Sequence, residues 1–262
     1  MIWTMLTLPF NPLKRSQEVE DLVMKGRRRK YYRLRPARYY GGIATADLVG
    51  CNLLCAYCWN YGRNLRPSEC KGRFYTDREI ATRLLSIARK KGFNRIRLSG
   101  AEPILGEQSL VHLSGVLAEI SKSDPRMEFV LETNGILIGA RPEFAQQLVA
   151  FPRLGVRISL KGWDERSFEQ ISGAEGDYFV LPLRGLKALR DVGISAWPAI
   201  MYELFGAKRI EKISKRLAEF SIRPEELEVE YLETYPFVLE NLKRRSIDLR
   251  EYDTQKIAGP DE

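Results

Sequence analysis

The stretch "GCNLLCAYCWN" (50–60) places three of the chain's four cysteines within eight positions. Cys51, Cys55 and Cys58 follow the spacing C-x3-C-x2-C, with Tyr57 directly before the third. In a chain of 262 residues, which needs no staples, clustered cysteines more often bind metal or do chemistry than pair as disulfides. A structural zinc site usually takes four ligands as two C-x2-4-C pairs. Cys70 would be the fourth thiolate, but it has no paired neighbour. His112, the only histidine, reads as a solvated or half-buried residue on a helix. Soft thiolates also select iron–sulfur clusters, which usually take four cysteines. A four-iron cluster held by three leaves one iron open, and an open position marks a metal that does chemistry.

Outward from this loop, short apolar runs alternate with amphipathic segments. "GGIATADLVG" (41–50) reads as a strand feeding the cysteines, and "NLRPSECKGRFY" (64–75) as loop. "TDREIATRLLSIARKKG" (76–92) predicts a helix. Thr76 and Glu79 form a capping box, Ile80, Leu84, Leu85 and Ala88 an apolar face, and Gly92 the stop. "RIRLSG" (95–100), "MEFVLETNG" (127–135), "GVRISLKG" (155–162), "ISAWPAIM" (194–201) and "ELEVEYL" (226–232) read as further strands. Helices are expected between them over 106–121, 142–151, 180–193 and 209–220. This alternation predicts an α/β fold, a partial (β/α)6 barrel of parallel strands joined by right-handed crossovers. The expected organisation is a basic N-terminal extension packed on the core (1–41), the barrel (42–235) and a C-terminal extension (236–262).

The net charge of +8 favours an acidic partner or substrate. Much of it lies in "KGRRRKYYRLRPARYY" (25–40), with eight Lys or Arg, no acid and two tyrosine pairs. Such a run is either a solvated face or an anionic-polymer site. In the second case Arg27, Arg28, Arg29, Lys30, Arg33 and Arg35 would meet RNA phosphates and Tyr31 and Tyr32 would stack on bases. The N-terminal "MIWTMLTLPF" lacks the flanks of a signal peptide and reads as a packed strand. No segment has the apolar length of a membrane span, and the expected location is cytoplasmic.

The cysteine triplet on the loop after the first barrel strand resembles the radical S-adenosylmethionine (SAM) superfamily, over roughly residues 42–235. "LSGAEPIL" (98–105) resembles that family's glycine–glycine–glutamate segment, matching at Ser99, Gly100, Glu102 and Pro103 and departing at Ala101. "LETNG" (131–135) and "SLKG" (159–162) resemble segments of the glycyl-radical-enzyme (pyruvate formate-lyase) activating subgroup, with Glu132 and Ser159 each in place of an Asp and Lys161 matching a lysine. All four segments end predicted strands, the face where parallel barrels place their active sites.

The resemblance implies a radical SAM oxidoreductase in which Cys51, Cys55 and Cys58 hold a [4Fe–4S] cluster. Its open iron is chelated by SAM, and reductive cleavage yields methionine and a 5′-deoxyadenosyl radical that abstracts hydrogen from substrate. Gly100, Ala101 and Glu102 would meet the cofactor's amino group, and Lys161, beside Ser159, its carboxylate. Thr133 and Asn134 would orient the cofactor or its ribose, and Tyr57 would lie beside the adenine. A ferredoxin- or flavodoxin-type donor would supply the electron. With only Cys70 spare, no second cluster can be fully ligated. The substrate is open between a protein glycyl position, an RNA and a small anionic molecule. A zinc-stabilised RNA-binding module explains the cysteines and the charge but not "SGAEP", "ETNG" and "SLK".

Overall fold

The computed structural model describes residues 7–249. Nine strands form one sheet: β1 (Met24–Lys25), β2 (Arg28–Ala37), β3 (Ile43–Leu48), β4 (Arg73–Tyr75), β5 (Arg95–Ser99), β6 (Glu128–Thr133), β7 (Leu154–Ser159), β8 (Ser195–Met201) and β9 (Glu228–Glu230). β3, β5, β6, β7, β8 and β9 are the six expected barrel strands, adjacent in chain order and parallel throughout. The path ends at β9 without returning to β1, so the barrel is partial and open.

Period-two alternation sorts the strand residues. Ile96, Leu98, Phe129, Leu131, Val156 and Ile158 join the main apolar core. Arg97, Ser99, Glu132, Arg157 and Ser159 take the other face and line a cavity. The crossovers are helical because their caps are written locally. The helix Asp77–Lys91 starts on the reciprocal Thr76–Glu79 box and ends at left-handed Gly92, as its sequence predicts. Helices Glu107–Ser123, Glu143–Leu148, Val180–Asp191 and Tyr202–Ala218 fill the other expected positions.

The basic stretch is a strand packed beside the barrel strands, and it is only partly solvated. β2 pairs antiparallel with β3, from Tyr31↔Leu48 to Ala37↔Ile43. Arg29 and Tyr31 are buried on one face of the strand and Lys30 on the other, where the segment around Pro67 covers it. Lys30 Nζ donates to Pro67 O at 2.9 Å. Tyr31 therefore has no face to offer a base, and six phosphate contacts from this segment are unavailable. β4 pairs with β2, so the end of the expected loop 64–75 is a strand. Of the expected N-terminal strand, residues 1–6 lie outside the described residues, and Phe10 makes a single parallel bridge to Ala174. Pro236–Arg244 of the C-terminal segment is a helix, and residues 250–262 lie outside the described residues. Among the described residues no helix is long and apolar enough to cross a membrane.

His112 is buried, not solvated. Its Nε2 is 2.9 Å from the Tyr31 hydroxyl and its Nδ1 3.0 Å from Arg27 O, so it ties the basic strand to the Glu107–Ser123 helix. Burial pushes its pKa down to about 4 from the ordinary 6.5. The unfolded chain therefore binds the extra proton between those values. Stability from the neutral ring is full above pH 6.5 and is lost as pH falls to 4, a swing of about 3 kcal/mol. His112→Phe should be less stable at pH 7 yet show a flatter stability profile over that window. Urea unfolding at stepped pH measures this, and an unchanged slope would assign the acid sensitivity elsewhere.

Candidate active site

The carboxyl ends of the barrel strands open onto one cavity of about 870 Å³. Its wall carries Cys51, Cys55, Cys58 and Tyr57 from the loop after β3, and Gly100, Ala101 and Glu102 from the turn after β5. Thr133 and Asn134 enter at the end of β6, and Ser159 and Lys161 at the end of β7. Every site residue expected from the sequence thus meets in one place, although the cysteines and Lys161 are about a hundred positions apart. Cys70 is absent from the wall.

The cysteine loop is held by its backbone. Leu54 N and Ala56 N donate to Ser172 O at 2.9 Å and Ile171 O at 2.8 Å, docking it on the helix Glu165–Ser172. N–H groups also aim at two of the sulfurs. Leu53 N lies 3.4 Å from Cys51 Sγ, and Asn60 N 3.4 Å from Cys58 Sγ. The side-chain amides of Asn64 and Asn134 approach Cys58 Sγ and Cys51 Sγ at 3.7 and 3.8 Å. Without a metal these are poor thiolates. Burial, helped by nearby Glu102 and Cys55, pushes Cys51 up, and burial above all pushes Cys58 up to about 11.

Among the described residues no three His, Cys, Asp or Glu side chains are grouped to hold a single metal ion. A multi-iron cluster spaces its thiolates more widely than one ion does. The donor set fits such a cluster: three soft ligands on one loop, N–H donors turned toward sulfur, and a buried Asn52 Nδ2 beside Cys51 with no protein partner, a donor that cluster sulfur would satisfy.

The turn after β5 is shaped by glycine. Gly100 has φ +83°, and a Cβ there would stand 3.3 Å from Asp47 Cβ, while its carbonyl accepts from Asn60 Nδ2 at 2.6 Å. Ala101 is not among the described non-glycine residues with positive φ, so its methyl costs no backbone strain in place of the family's second glycine. Glu102 is buried and saturated. Its carboxylate accepts from Ile104 N at 3.1 Å, Thr133 Oγ1 at 2.6 Å and Asn134 N at 2.8 Å. Burial outweighs these donors and pushes its pKa up to about 7.

Lys161 Nζ donates to the Tyr57 hydroxyl at 2.8 Å. Burial opposes the lysine's charge, but Tyr57 and Cys55 more than offset it and its pKa is raised. Burial pushes Tyr57 up to about 12. The same cavity carries a belt of charge, in which sequence reading singled out Glu132 and Ser159 but passed over Arg97, Arg157, Glu228 and Glu230 as ordinary strand residues. Arg97 Nη1 meets Glu132 at 2.5 Å, and Ser99 Oγ donates to the same carboxylate at 2.8 Å. Arg157 bonds Glu228 Oε1 at 3.0 Å and Ser159 Oγ at 2.9 Å, and pairs with Glu230. The available signal was a charged residue in the middle of strands that are otherwise apolar.

Serine at Cys51, Cys55 or Cys58 is expected to abolish the brown chromophore and bound iron of anaerobically purified protein. Serine at Cys70 should leave both near the wild-type level. Iron and sulfide quantitation on the four variants decides it, and iron loss confined to the Cys70 variant would overturn the assignment.

The family model described as "Radical SAM superfamily" matches residues 47–212. A GTP 3′,8-cyclase from Trichormus variabilis is 32% identical over 126 residues, covering 48% of this chain and 36% of that protein. Another, from Mycobacterium sp. (strain KMS), is 31% identical over 167 residues, covering 60% and 43%. The chain thus spans less than half the length of these curated relatives. Their names do not bear out the particular likeness expected to glycyl-radical activating enzymes. Among solved structures, SAM-bound SuiB of Streptococcus suis superposes with TM-score 0.52 at 18% identity, covering 76% of this chain and 45% of that one. SAM-bound anSMEcpe gives 0.51 at 16% identity, covering 72% and 53%. Both likenesses are of fold. With the matched segment spanning the cysteine loop and the strands that carry the other site residues, the chain belongs to the radical SAM superfamily, whose characteristic [4Fe–4S] cluster and SAM this cavity fits.

Proposed function

We propose that this protein cleaves SAM reductively and directs the resulting radical at a small polar molecule held against the charged belt. When bound, the reduced cluster supplies the electron that splits SAM into methionine and a 5′-deoxyadenosyl radical. Everything else falls to the chain. Cys51, Cys55 and Cys58 hold the cluster, and the Gly100–Glu102 turn positions the amino group with its backbone, since the Glu102 carboxylate is already occupied. Lys161 pairs with the cofactor carboxylate, and Thr133, Asn134, Ser159 and Tyr57 shape the remaining contacts. A one-electron donor of ferredoxin or flavodoxin type feeds the cluster.

The observation that carries the substrate reading is the belt of Arg97, Glu132, Arg157, Glu228 and Glu230 inside the same cavity as the cysteines. Paired charges in a cavity wall present fixed donors and acceptors to a molecule small enough to enter. The GTP 3′,8-cyclase relatives, whose name gives a nucleotide as substrate, support a molecule of this kind over a glycyl position in a protein. Burial of Arg29, Lys30 and Tyr31 weighs against RNA.

Reconstituted protein given SAM and dithionite without air should form 5′-deoxyadenosine, measured by chromatography. Formation should accelerate with a nucleotide such as GTP and not with a glycine-containing peptide, and acceleration by the peptide alone would reverse the substrate reading. Lys161→Ala should weaken SAM binding about tenfold or more, as loss of a charge-assisted contact worth roughly 1.5–3 kcal/mol implies. Unchanged affinity together with unchanged cleavage would remove Lys161 from the cofactor site.

A further inference from the structure

We infer that Arg33 and Arg35 form an oxyanion site on the cavity wall, seating a phosphate or carboxylate group of the substrate. The inference rests on the reading that the cavity takes a small polar molecule, and it adds which group that molecule carries and where it docks.

Both arginines project from β2 into the cavity that holds the cysteines. They share a single counter-ion, the fully buried Asp47. Arg33 reaches it through Nε at 2.6 Å, and Arg35 through Nε at 2.9 Å and Nη2 at 3.3 Å. Both Nη groups of Arg33 and Nη1 of Arg35 therefore lie outside that carboxylate. One buried carboxylate needs one cation for neutrality, and a well-paired Asp–Arg couple is not improved by a second guanidinium that must also be desolvated. The second arginine leaves this corner with one more cation than anion, and 44% of the Arg33 side chain and 24% of the Arg35 side chain are exposed.

Among the described residues Arg33 and Arg35 form no ion pair with any carboxylate of the cavity other than Asp47, and the other acids keep to partners of their own. Glu132 is held by Arg97 and Ser99, Glu228 and Glu230 by Arg157, and Glu233 accepts from the Tyr235 hydroxyl at 2.7 Å. Glu102 is saturated by the backbone and Thr133. The Arg33 guanidinium also lies over the Trp59 ring, 5.6 Å from its centroid. It lies equally far, 5.6 Å, from the Tyr32 ring centroid. Two guanidiniums held by one carboxylate, with Arg33's terminal nitrogens and Arg35 Nη1 not taken by Asp47, match the geometry of an oxyanion. Both arginines precede the segment that matches the family model, 47–212, and Asp47 opens it.

The test uses the reconstituted full chain with SAM bound, and titrates inorganic pyrophosphate and, separately, tricarballylate by calorimetry. Three variants are compared: Arg33→Gln, the triple replacement Arg33→Gln, Arg35→Gln and Asp47→Asn, which leaves no buried charge unpaired, and Arg89→Gln as an exposed control. Wild type and the control should bind one of the probes, Arg33→Gln at least threefold more weakly and the triple variant at least tenfold more weakly. SAM affinity, read by equilibrium dialysis, should stay the same in all four. Tighter pyrophosphate binding assigns a phosphoryl group, and tighter tricarballylate binding a carboxylate. No binding of either probe by wild type, equal binding in the triple variant, or SAM affinity falling in parallel would each overturn the site. The 5′-deoxyadenosine assay on the same samples tests the proposed reaction separately, because probe binding does not depend on turnover.

Discussion

The site is assembled around the buried side chain and backbone of Glu102. Its amide donates to Gly50 O at 3.2 Å, just ahead of Cys51, and its carbonyl accepts from Arg29 Nη2 at 3.2 Å. Its carboxylate takes Thr133 and the Asn134 amide from the next strand end. One residue thereby fixes the cysteine loop, the glycine turn, the basic strand and the "TNG" turn relative to one another. A buried carboxylate is costly unless its lone pairs are filled. The requirement for those donors is what holds three strand ends in register.

Beneath the cysteine loop lie two buried cations. Arg15 gives Nη2 to Asn64 O at 2.7 Å, and among the described residues Arg29 donates a side-chain hydrogen bond to the Glu102 carbonyl alone. Burial pushes Arg29 down to about 10, which still leaves it charged at neutral pH. Cys51 is the first group to attract Arg15, and Arg29 is attracted by Tyr31, Glu20 and Glu102 ahead of Cys51. Buried positive charge with so few partners is expensive in a protein without metal. It is balanced once the thiols are deprotonated and bound to iron, so the floor of the loop is electrostatically suited to an anionic cluster.

The charged belt divides the cavity by function. On the side of β5, β6, β7 and β9, Arg97 pairs with Glu132 and Arg157 with both Glu228 and Glu230, and these ion pairs form a hydrogen-bonding wall. At β2 and β3 two arginines face one aspartate. A wall of paired charges selects by shape and hydrogen bonding, whereas an unbalanced corner selects by charge. The polarity of the cavity therefore comes from how strand residues pair across the sheet, and the net charge of +8 does not describe it.

The sequence alone determined the six barrel strands, the helices between them and the clustering of the three cysteines. Cap residues such as Thr76 and Glu79 act over three positions, alternation acts over two, and three cysteines on one loop have to converge, so each signal is local and can be read without coordinates. It did not determine the fate of "RRRKYYRLR". Basic residues usually mark solvent, and only the pairing of β2 with β3 shows that Arg29, Lys30 and Tyr31 are buried while Arg33 and Arg35 turn to the cavity. Nor did it show that His112 is buried against Tyr31, or that Arg97, Glu132 and Arg157 share an inner wall. These are contacts between residues tens of positions apart, and their partners are set by sheet order and register. Tertiary structure decided them because a charged side chain in a strand is solvated or paired according to which face the neighbouring strands cover.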